Sequence, residues 1–224
     1  MNIKGAIFDM DGTLVDSLML WDILWEAFGD KYLNGVKFVP DAEADKAIRT
    51  MPLREAMEFL HVRCGIGENG YDLFVTANEV FKNFYATRVT LKEGAREFLE
   101  YLYNKGVKMC VASATDPELV HVSMEHCGIE RYFSKLFSCS QLGKGKDQPD
   151  VYLMAMEYLE TPLEETWVFE DAFVALNTAS EIGMPTVGIY DCHNFDPDKV
   201  AHRATLYIGP GENLTKLIAN GDAE

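Results

Sequence analysis

The chain has 224 residues, 48% of them hydrophobic, and its 36 acidic and 20 basic residues give a net charge of −16. This length accommodates one substantial hydrophobic core, or a core domain together with a smaller one. The acidic balance argues against nucleic acid as a partner, because no basic surface is available to replace counterions, whereas a small phosphorylated substrate needs only a few local cations.

The first predicted element is a short buried strand from Gly5 to Phe8, which is apolar and is followed by acids and a glycine. The next 75 or so residues are predicted to be helical, starting with apolar residues at helical spacing from Ser17 to Tyr32. Breaks that contain glycine or proline separate three further predicted helices, at residues 42–50, 53–64 and 71–86.

From about Leu91 onward, short apolar strands alternate with helices. The strands are predicted at residues 107–112, 136–139, 166–169, 186–190 and 205–208, and the helices at 95–104, 117–126, 149–158 and 174–182. This alternation predicts a parallel sheet covered on both faces. We therefore expect an α/β fold: a Rossmann-like, three-layer α/β/α core formed by residues 1–15 and 91–224, with an inserted α-helical cap over residues 16–90.

The first predicted strand ends in the motif Asp9-Met10-Asp11-Gly12-Thr13. Residues two apart in an extended segment face the same way, so both carboxylates can point into one site. Carboxylates that close repel each other unless a cation or a proton compensates them, and Mg²⁺ suits such oxygen ligands. An aspartate can also attack phosphorus, and Gly12 would let the backbone approach a phosphate closely.

This motif has two other interpretations. A calcium loop of the EF-hand type needs a glycine at its sixth position and a preceding helix, whereas Gly12 is fourth from Asp9 and follows a strand. The calcium loop is therefore rejected. A turn with solvated acids stays open on the motif alone.

Three later polar clusters also follow predicted strands or precede a helix. Ser113 and Ala114 follow the second strand of the sheet, where a hydroxyl and successive N–H groups can bind phosphate oxygens. Lys146 precedes a predicted helix, and Glu170 and Asp171 end another apolar strand. Each cluster alone also fits a turn, a helix cap or an exposed loop. Ligands of open parallel sheets, however, sit at the carboxyl ends of the strands.

Taken together and in this order, the four motifs resemble those of the haloacid dehalogenase-like hydrolase superfamily. The first is Asp9-Met10-Asp11-Gly12-Thr13, the second is Ser113, the third is Lys146 ahead of Pro149-Asp150, and the fourth is Glu170-Asp171. The helical insert directly after the first motif is similar to the small α-helical cap of the subgroup that contains phosphoglycolate phosphatase and β-phosphoglucomutase.

The resemblance implies a role for each motif residue. Asp9 is the nucleophile, and Asp11 protonates the leaving oxygen and then deprotonates the attacking water. Ser113 and Lys146 hold the non-bridging oxygens. The implied phosphate-binding residues are Gly12, Thr13, Ser113, Ala114 and Lys146. The implied Mg²⁺ ligands are the Asp9 carboxylate, the Asp11 backbone carbonyl and Asp171, with Glu170 acting through water.

The function expected from this resemblance is a Mg²⁺-dependent phosphatase that acts on a small phosphorylated metabolite through an aspartyl-phosphate. One alternative is a sugar phosphomutase, but the stretch from Leu18 to Trp21 lacks the histidine that mutase-like members carry there. The other is a non-catalytic phosphate- or Mg²⁺-binding protein of the receiver type. Within the cap, Trp21 and Arg54 are candidate substrate contacts, with Arg49 nearby. The alternatives are packing in the cap core for the Trp21 ring and a solvated helix end for each arginine.

The remaining features concern the cellular setting. Five cysteines are scattered, odd in number and without a C-x-x-C pair, as is typical of reduced cytosolic thiols. No signal peptide and no membrane-spanning stretch is expected. We therefore expect a cytoplasmic protein without a membrane partner that is a monomer or a weak dimer.

Overall fold

The computed structural model describes residues 2–49 and 51–221. In these residues the β-strands are β1 Gly5–Phe8, β2 Val15–Asp16, β3 Thr90–Leu91, β4 Lys108–Ser113, β5 Leu136–Ser138, β6 Thr166–Glu170, β7 Thr186–Ile189 and β8 Leu206–Ile208. The α-helices are α1 Leu20–Tyr32, α2 Ala42–Ile48, α3 Leu53–Cys64, α4 Gly70–Thr87, α5 Ala95–Asn104, α6 Pro117–Cys127, α7 Cys139–Leu142, α8 Asp150–Leu159, α9 Phe173–Glu181, α10 Pro197–Arg203 and α11 Lys216–Gly221.

The chain divides into two compact units. The sheet unit runs to Leu18 and resumes at Val89, and the helical unit is Met19–Arg88. Strands β2 and β3 pair antiparallel in the sheet unit and form a ribbon of two strands. The ribbon pairs the segment that leaves the sheet unit with the segment that returns to it, and both strands belong to the sheet unit. The helical unit is therefore Met19–Arg88, whereas the insert was expected to span 16–90.

The main sheet has six strands in the order β5-β4-β1-β6-β7-β8, and all of its pairs are parallel. Strand β1 is central, with Ile7 opposite Cys110 of β4 and Val168 of β6. Parallel neighbours end at the same edge, so the polar residues that follow β1, β4 and β6 come together there. The predicted α/β fold is confirmed.

Successive residues of β1 reach opposite faces of the sheet. Ile7 belongs to the core cluster that includes Tyr152 of α8 and Ala179 of α9. Phe8 packs on the other side, stacked on Phe169 with ring centroids 4.2 Å apart and in edge contact with Phe98 of α5 at 6.4 Å. Helices therefore cover both faces, which gives the three-layer core.

The helical unit has a hydrophobic core of its own. The rings of Trp25 and Phe28 of α1 lie 5.8 Å apart, and Phe38 packs edge-on against Trp25 at 5.5 Å. Lys31 of α1 also donates a 2.7 Å hydrogen bond to Thr76 of α4, which ties these two helices together. Of the helices in residues 2–49 and 51–221, none has the length and apolar character needed to span a membrane.

The structure differs from the sequence-based elements mainly where they are short. Helix α1 begins at Leu20 rather than at Ser17, because the Ser17 hydroxyl donates a 2.6 Å hydrogen bond to Asp11 in the sheet unit. The ribbon of β2 and β3 and the short helices α7, α10 and α11 were not predicted.

Phe98 offers a test of the packing on the α5 face. The Phe98→Ala variant is expected to lower the free energy of unfolding by about 3–5 kcal/mol, because the ring is fully buried between Phe8 and Phe169. Urea denaturation followed by circular dichroism measures this loss. The control is Glu97→Ala on the exposed side of the same helix, expected to stay within about 0.5 kcal/mol of the parent. Equal effects of the two variants would contradict the described packing.

Candidate active site

Three buried carboxylates meet at the carboxyl edge of the sheet. Asp9 directly follows β1, Glu170 is the last residue of β6, and Asp171 follows it. Since β1 and β6 are paired neighbours with Phe8 opposite Phe169, the three acids are brought together. One oxygen of each lies within 4.8 Å of the others.

Lys146 provides a cation at this cluster. Its ammonium donates to the Asp9 carboxylate and, at 2.5 Å, to Glu170 Oε1. Burial lowers the pKa of Lys146, but the carboxylates of Asp9 and Glu170 more than offset that effect and raise the pKa above its usual value. Lys146 is therefore a fixed positive charge among the acids.

One ammonium does not compensate three buried carboxylates. Burial raises the pKa of Asp9 although Lys146 opposes the shift, and burial raises the pKa of Glu170 to about 7. Burial and the neighbouring carboxylates of Asp9 and Glu170 also raise the pKa of Asp171 well above its usual range. The cluster thus favours a further positive charge.

The donor set fits a hard divalent cation such as Mg²⁺. Glu170 Oε1 accepts hydrogen bonds from Lys146 and, at 3.2 Å, from the Tyr152 hydroxyl. Glu170 Oε2 is buried and has no hydrogen-bond partner among the described residues. A buried acceptor without a partner is costly, and carboxylate oxygens are the ligands that Mg²⁺ prefers. Asp9, Glu170 and Asp171 are thus the side chains that would hold the ion.

The Asp11 carboxylate is held differently from the three clustered acids. The Ser17 hydroxyl donates to Asp11 Oδ1 at 2.6 Å, and the Thr115 hydroxyl donates to Asp11 Oδ2 at 2.7 Å. Two hydroxyls from different segments therefore fix its orientation. The sequence interpretation assigned no role to Ser17 or Thr115, although both lie beside motif residues.

Gly12 and Thr13 lie against Asp171. Gly12 has a φ of +76°, and a Cβ placed there would lie 2.5 Å from Asp171 Oδ2. The Thr13 hydroxyl is buried and donates to Asp171 Oδ1 at 3.3 Å. In this structure both residues shape the surroundings of an acid, and their predicted contact with phosphate stays a prediction.

The second motif lies at the same edge of the sheet. Ser113 is the last residue of β4, which neighbours β1. Its hydroxyl oxygen accepts the Thr115 N–H at 3.0 Å, and the following Ala114 is exposed. Ser113 and Ala114 thus lie at the edge of the sheet where Asp9 also lies, and their contact with phosphate stays a prediction.

The predicted cap contacts belong to the helical unit. The Arg49 guanidinium lies 5.4 Å from the centre of the Trp21 ring and forms hydrogen bonds with Asp45 at 3.0 and 3.1 Å. Arg54 is exposed, with its guanidinium 5.6 Å from the centre of the Tyr71 ring. Contact of Trp21 and Arg54 with substrate stays a prediction.

Two residues near the acids were missed in the sequence. Tyr152 was predicted only as part of a helix, and Asn194 lies in the loop after β7, to which no function was assigned. The Asn194 side-chain amide donates to the Asp171 carbonyl oxygen at 2.7 Å and to Asp171 Oδ2 at 3.0 Å. A polar residue in a loop carries no recognisable pattern, so the fold alone identifies it.

This chain is similar in sequence to a known protein family and to named proteins. The family model described as haloacid dehalogenase-like hydrolase matches residues 6–189. A Thermotoga maritima protein named phosphorylated carbohydrates phosphatase is 25% identical over 216 residues, which are 96% of this chain and 98% of the relative. A Streptomyces hygroscopicus protein named validoxylamine A 7'-phosphate phosphatase is 26% identical, over 85% of this chain and 87% of the relative.

Solved structures support the same fold. A Thermotoga maritima protein provisionally assigned as a beta-phosphoglucomutase has a TM-score of 0.79 at 24% identity, covering 97% of this chain and 99% of the other. CbbY from Rhodobacter sphaeroides in complex with phosphate has a TM-score of 0.74 at 20% identity, covering 92% and 93% of the two chains.

Gly12 provides a test of the packing around Asp171. The Gly12→Ala variant is expected to lower stability by more than the roughly 1–2 kcal/mol of a left-handed backbone, because the new methyl group would also displace Asp171. The matched control is Gly106→Ala, where φ is +74° but no atom lies within 4 Å of a built Cβ. Thermal unfolding with and without MgCl₂ compares the variants. Equal losses, and equal stabilisation by Mg²⁺, would contradict the described contact.

Proposed function

This chain belongs to the haloacid dehalogenase-like hydrolase family, and from that premise we propose that it hydrolyses a small phosphorylated metabolite with Mg²⁺ through an aspartyl-phosphate. It is a phosphoric monoester hydrolase of this family. The proposed mechanism is supported by the different surroundings of the two aspartates. Asp9 lies beside Lys146 in the acid cluster, whereas the Asp11 carboxylate accepts hydrogen bonds from Ser17 and Thr115.

In the proposed first step, Asp9 acts as the nucleophile. One of its carboxylate oxygens attacks the phosphorus, and the bond between phosphorus and the ester oxygen breaks. Protonated Asp11 gives its proton to the departing alkoxide, so that the alcohol leaves neutral. The phosphoryl group is then bound to Asp9 as an acyl phosphate.

In the proposed second step, water replaces Asp9 on phosphorus. Asp11, now a carboxylate, takes a proton from the water as its oxygen attacks, and the acyl phosphate bond breaks. Asp9 is regenerated, inorganic phosphate leaves and Asp11 is again protonated. The hydrogen bonds from Ser17 and Thr115 keep the acid–base group oriented in both steps.

The other motif residues act on charge. The Lys146 ammonium lies beside the Asp9 oxygen. In this position it would stabilise the negative charge that develops on the transferred phosphoryl group. Ser113 offers a hydroxyl from the neighbouring strand end to a non-bridging oxygen. Mg²⁺, when held by Asp9, Glu170 and Asp171, would neutralise the phosphate oxygens and the carboxylates that Lys146 leaves uncompensated.

A sugar phosphate is the favoured substrate class. A relative that aligns over nearly its whole length is named for phosphorylated carbohydrates, and another for a phosphate of validoxylamine A. Hydrolysis is favoured over a mutase reaction because residues 18–21 contain no histidine to serve a second transfer. The deciding experiment incubates the protein with a set of sugar phosphates and measures free phosphate. Relocation of phosphate within the sugar without release would refute hydrolysis.

The two aspartates are expected to differ in their effects on turnover. Asp9→Asn abolishes hydrolysis of p-nitrophenyl phosphate, because the nucleophile is lost. Asp11→Asn reduces kcat by about 10²–10⁴-fold, because only acid–base help is removed. Steady-state assays measure both, and Asp198→Asn on the exposed side of α10 serves as the control with unchanged turnover. Persistent activity of the Asp9 variant would overturn the covalent mechanism.

Metal removal tests the charge argument. EDTA is expected to abolish turnover, and added MgCl₂ to restore it, because the buried acids oppose an incoming phosphate dianion unless a cation compensates them. The phosphate-release assay with wild-type protein gives the result. Activity that is indifferent to chelation would exclude a required divalent cation.

A further inference from the structure

The loop between β7 and α10 reaches the acid cluster through Asn194. The amide nitrogen of Asn194 donates to two oxygens of Asp171, the backbone carbonyl at 2.7 Å and Oδ2 at 3.0 Å. The Thr13 hydroxyl contacts the other carboxylate oxygen, Oδ1, at 3.3 Å. Both carboxylate oxygens of Asp171 therefore accept a hydrogen bond from a neutral donor, Asn194 or Thr13. Together these two hydrogen bonds orient the carboxylate.

The orientation of the Asn194 amide is fixed by its neighbours. The backbone carbonyl oxygen of Asp171 can only accept, so the NH₂ group must face Asp171. On the opposite side, Asn194 Oδ1 accepts the N–H of Asp196 at 3.3 Å. The amide is thus satisfied at both ends in one orientation.

An ion pair with a buried carboxylate holds this loop in place. The Asp191 side chain is 1% exposed, pairs with the Lys92 ammonium and accepts the His193 N–H at 2.8 Å. Lys92 directly follows β3 and also lies 4.0 Å from Asp16 of β2. The ion pair therefore fastens the loop to the ribbon of β2 and β3, three residues before Asn194.

Asp191 is better explained as this anchor than as part of a metal site. Asp191, Cys192 and His193 offer ligand atoms within 4.8 Å of one another. The Lys92 ammonium already compensates the Asp191 carboxylate, and a bound cation would have to displace it. The ion pair thus anchors the loop, and the loop carries the oriented Asn194 amide that donates to Asp171.

We infer that Asn194 is a positioning residue that holds Asp171 in the orientation needed to bind Mg²⁺, and that the Lys92–Asp191 ion pair supports it by fixing the loop. This inference rests on the proposed function, since it concerns the same metal site. Partners of metal ligands, although they do not touch the ion, are typically worth about 10–100-fold in metal affinity.

The test uses the full chain and MgCl₂ alone, with binding measured by isothermal titration calorimetry. Asn194→Ala is expected to raise the Mg²⁺ Kd by about 10–100-fold, with kcat at saturating Mg²⁺ changed much less. The melting temperature without metal is expected to stay near that of wild type. The matched control is Asn177→Ala in α9, which removes side-chain hydrogen bonds with Glu181 and Arg203 away from the acids.

Several outcomes would overturn the inference. An unchanged Mg²⁺ Kd in Asn194→Ala would do so, as would equal weakening in Asn177→Ala. Wild-type protein that binds no Mg²⁺ would refute both this inference and the proposed metal dependence. Wild-type protein that binds Mg²⁺ but releases no phosphate from esters would refute the proposed function only, while weaker binding by Asn194→Ala would still support the positioning role.

A second variant tests the anchor. Asp191→Asn is expected to weaken Mg²⁺ binding in the same direction, because the loop loses its ion pair with Lys92. If the anchor acts through Asn194, the double variant Asp191→Asn/Asn194→Ala loses no more affinity than Asn194→Ala alone. Losses of affinity that multiply in the double variant would show that Asp191 acts independently and would overturn this part of the inference.

Discussion

The site depends on a charge imbalance: three buried carboxylates share one ammonium at the edge of the sheet. Lys146 contacts Asp9 and Glu170, and yet burial raises the pKa of Asp9, Glu170 and Asp171. Such an arrangement is unfavourable in isolation and becomes favourable when a cation joins it. Glu170 Oε2, which has no hydrogen-bond partner among the described residues, and the raised pKa values both fit a site that would bind a metal and then a phosphate.

The fold sustains this imbalance by anchoring the acids to buried strands. Ile7 and Phe8 are packed on opposite faces of the central strand, so the position of Asp9 is set by two layers of core contacts. Phe169 does the same for Glu170 from the neighbouring strand. Acids on mobile loops would move apart to relieve their repulsion, whereas these are held by the packing of the sheet.

Asp9 and Asp11 are two residues apart but have different surroundings. Asp9 lies in the acid cluster beside an ammonium, whereas Asp11 accepts hydrogen bonds from Ser17 and Thr115. In the proposed mechanism these two carboxylates have different roles, and two carboxylates with different roles need different environments. The surroundings of Asp171 differ again, since this member of the acid cluster accepts hydrogen bonds from the Asn194 amide.

The sequence by itself determined the α/β fold, the helical insert and the order of the motifs, because buried strands, helical periodicity and acids at strand ends are local patterns. It also put Asp9 and Asp171 directly after predicted strands, and parallel strands end at the same edge of a sheet. Only the tertiary structure decided which residues support them. Thr115 is 104 positions from Asp11, and Asn194 is 23 positions from Asp171 in a loop without periodicity. Hydrogen bonds between such distant segments form only when packing brings the segments together, so no local pattern in the sequence encodes them.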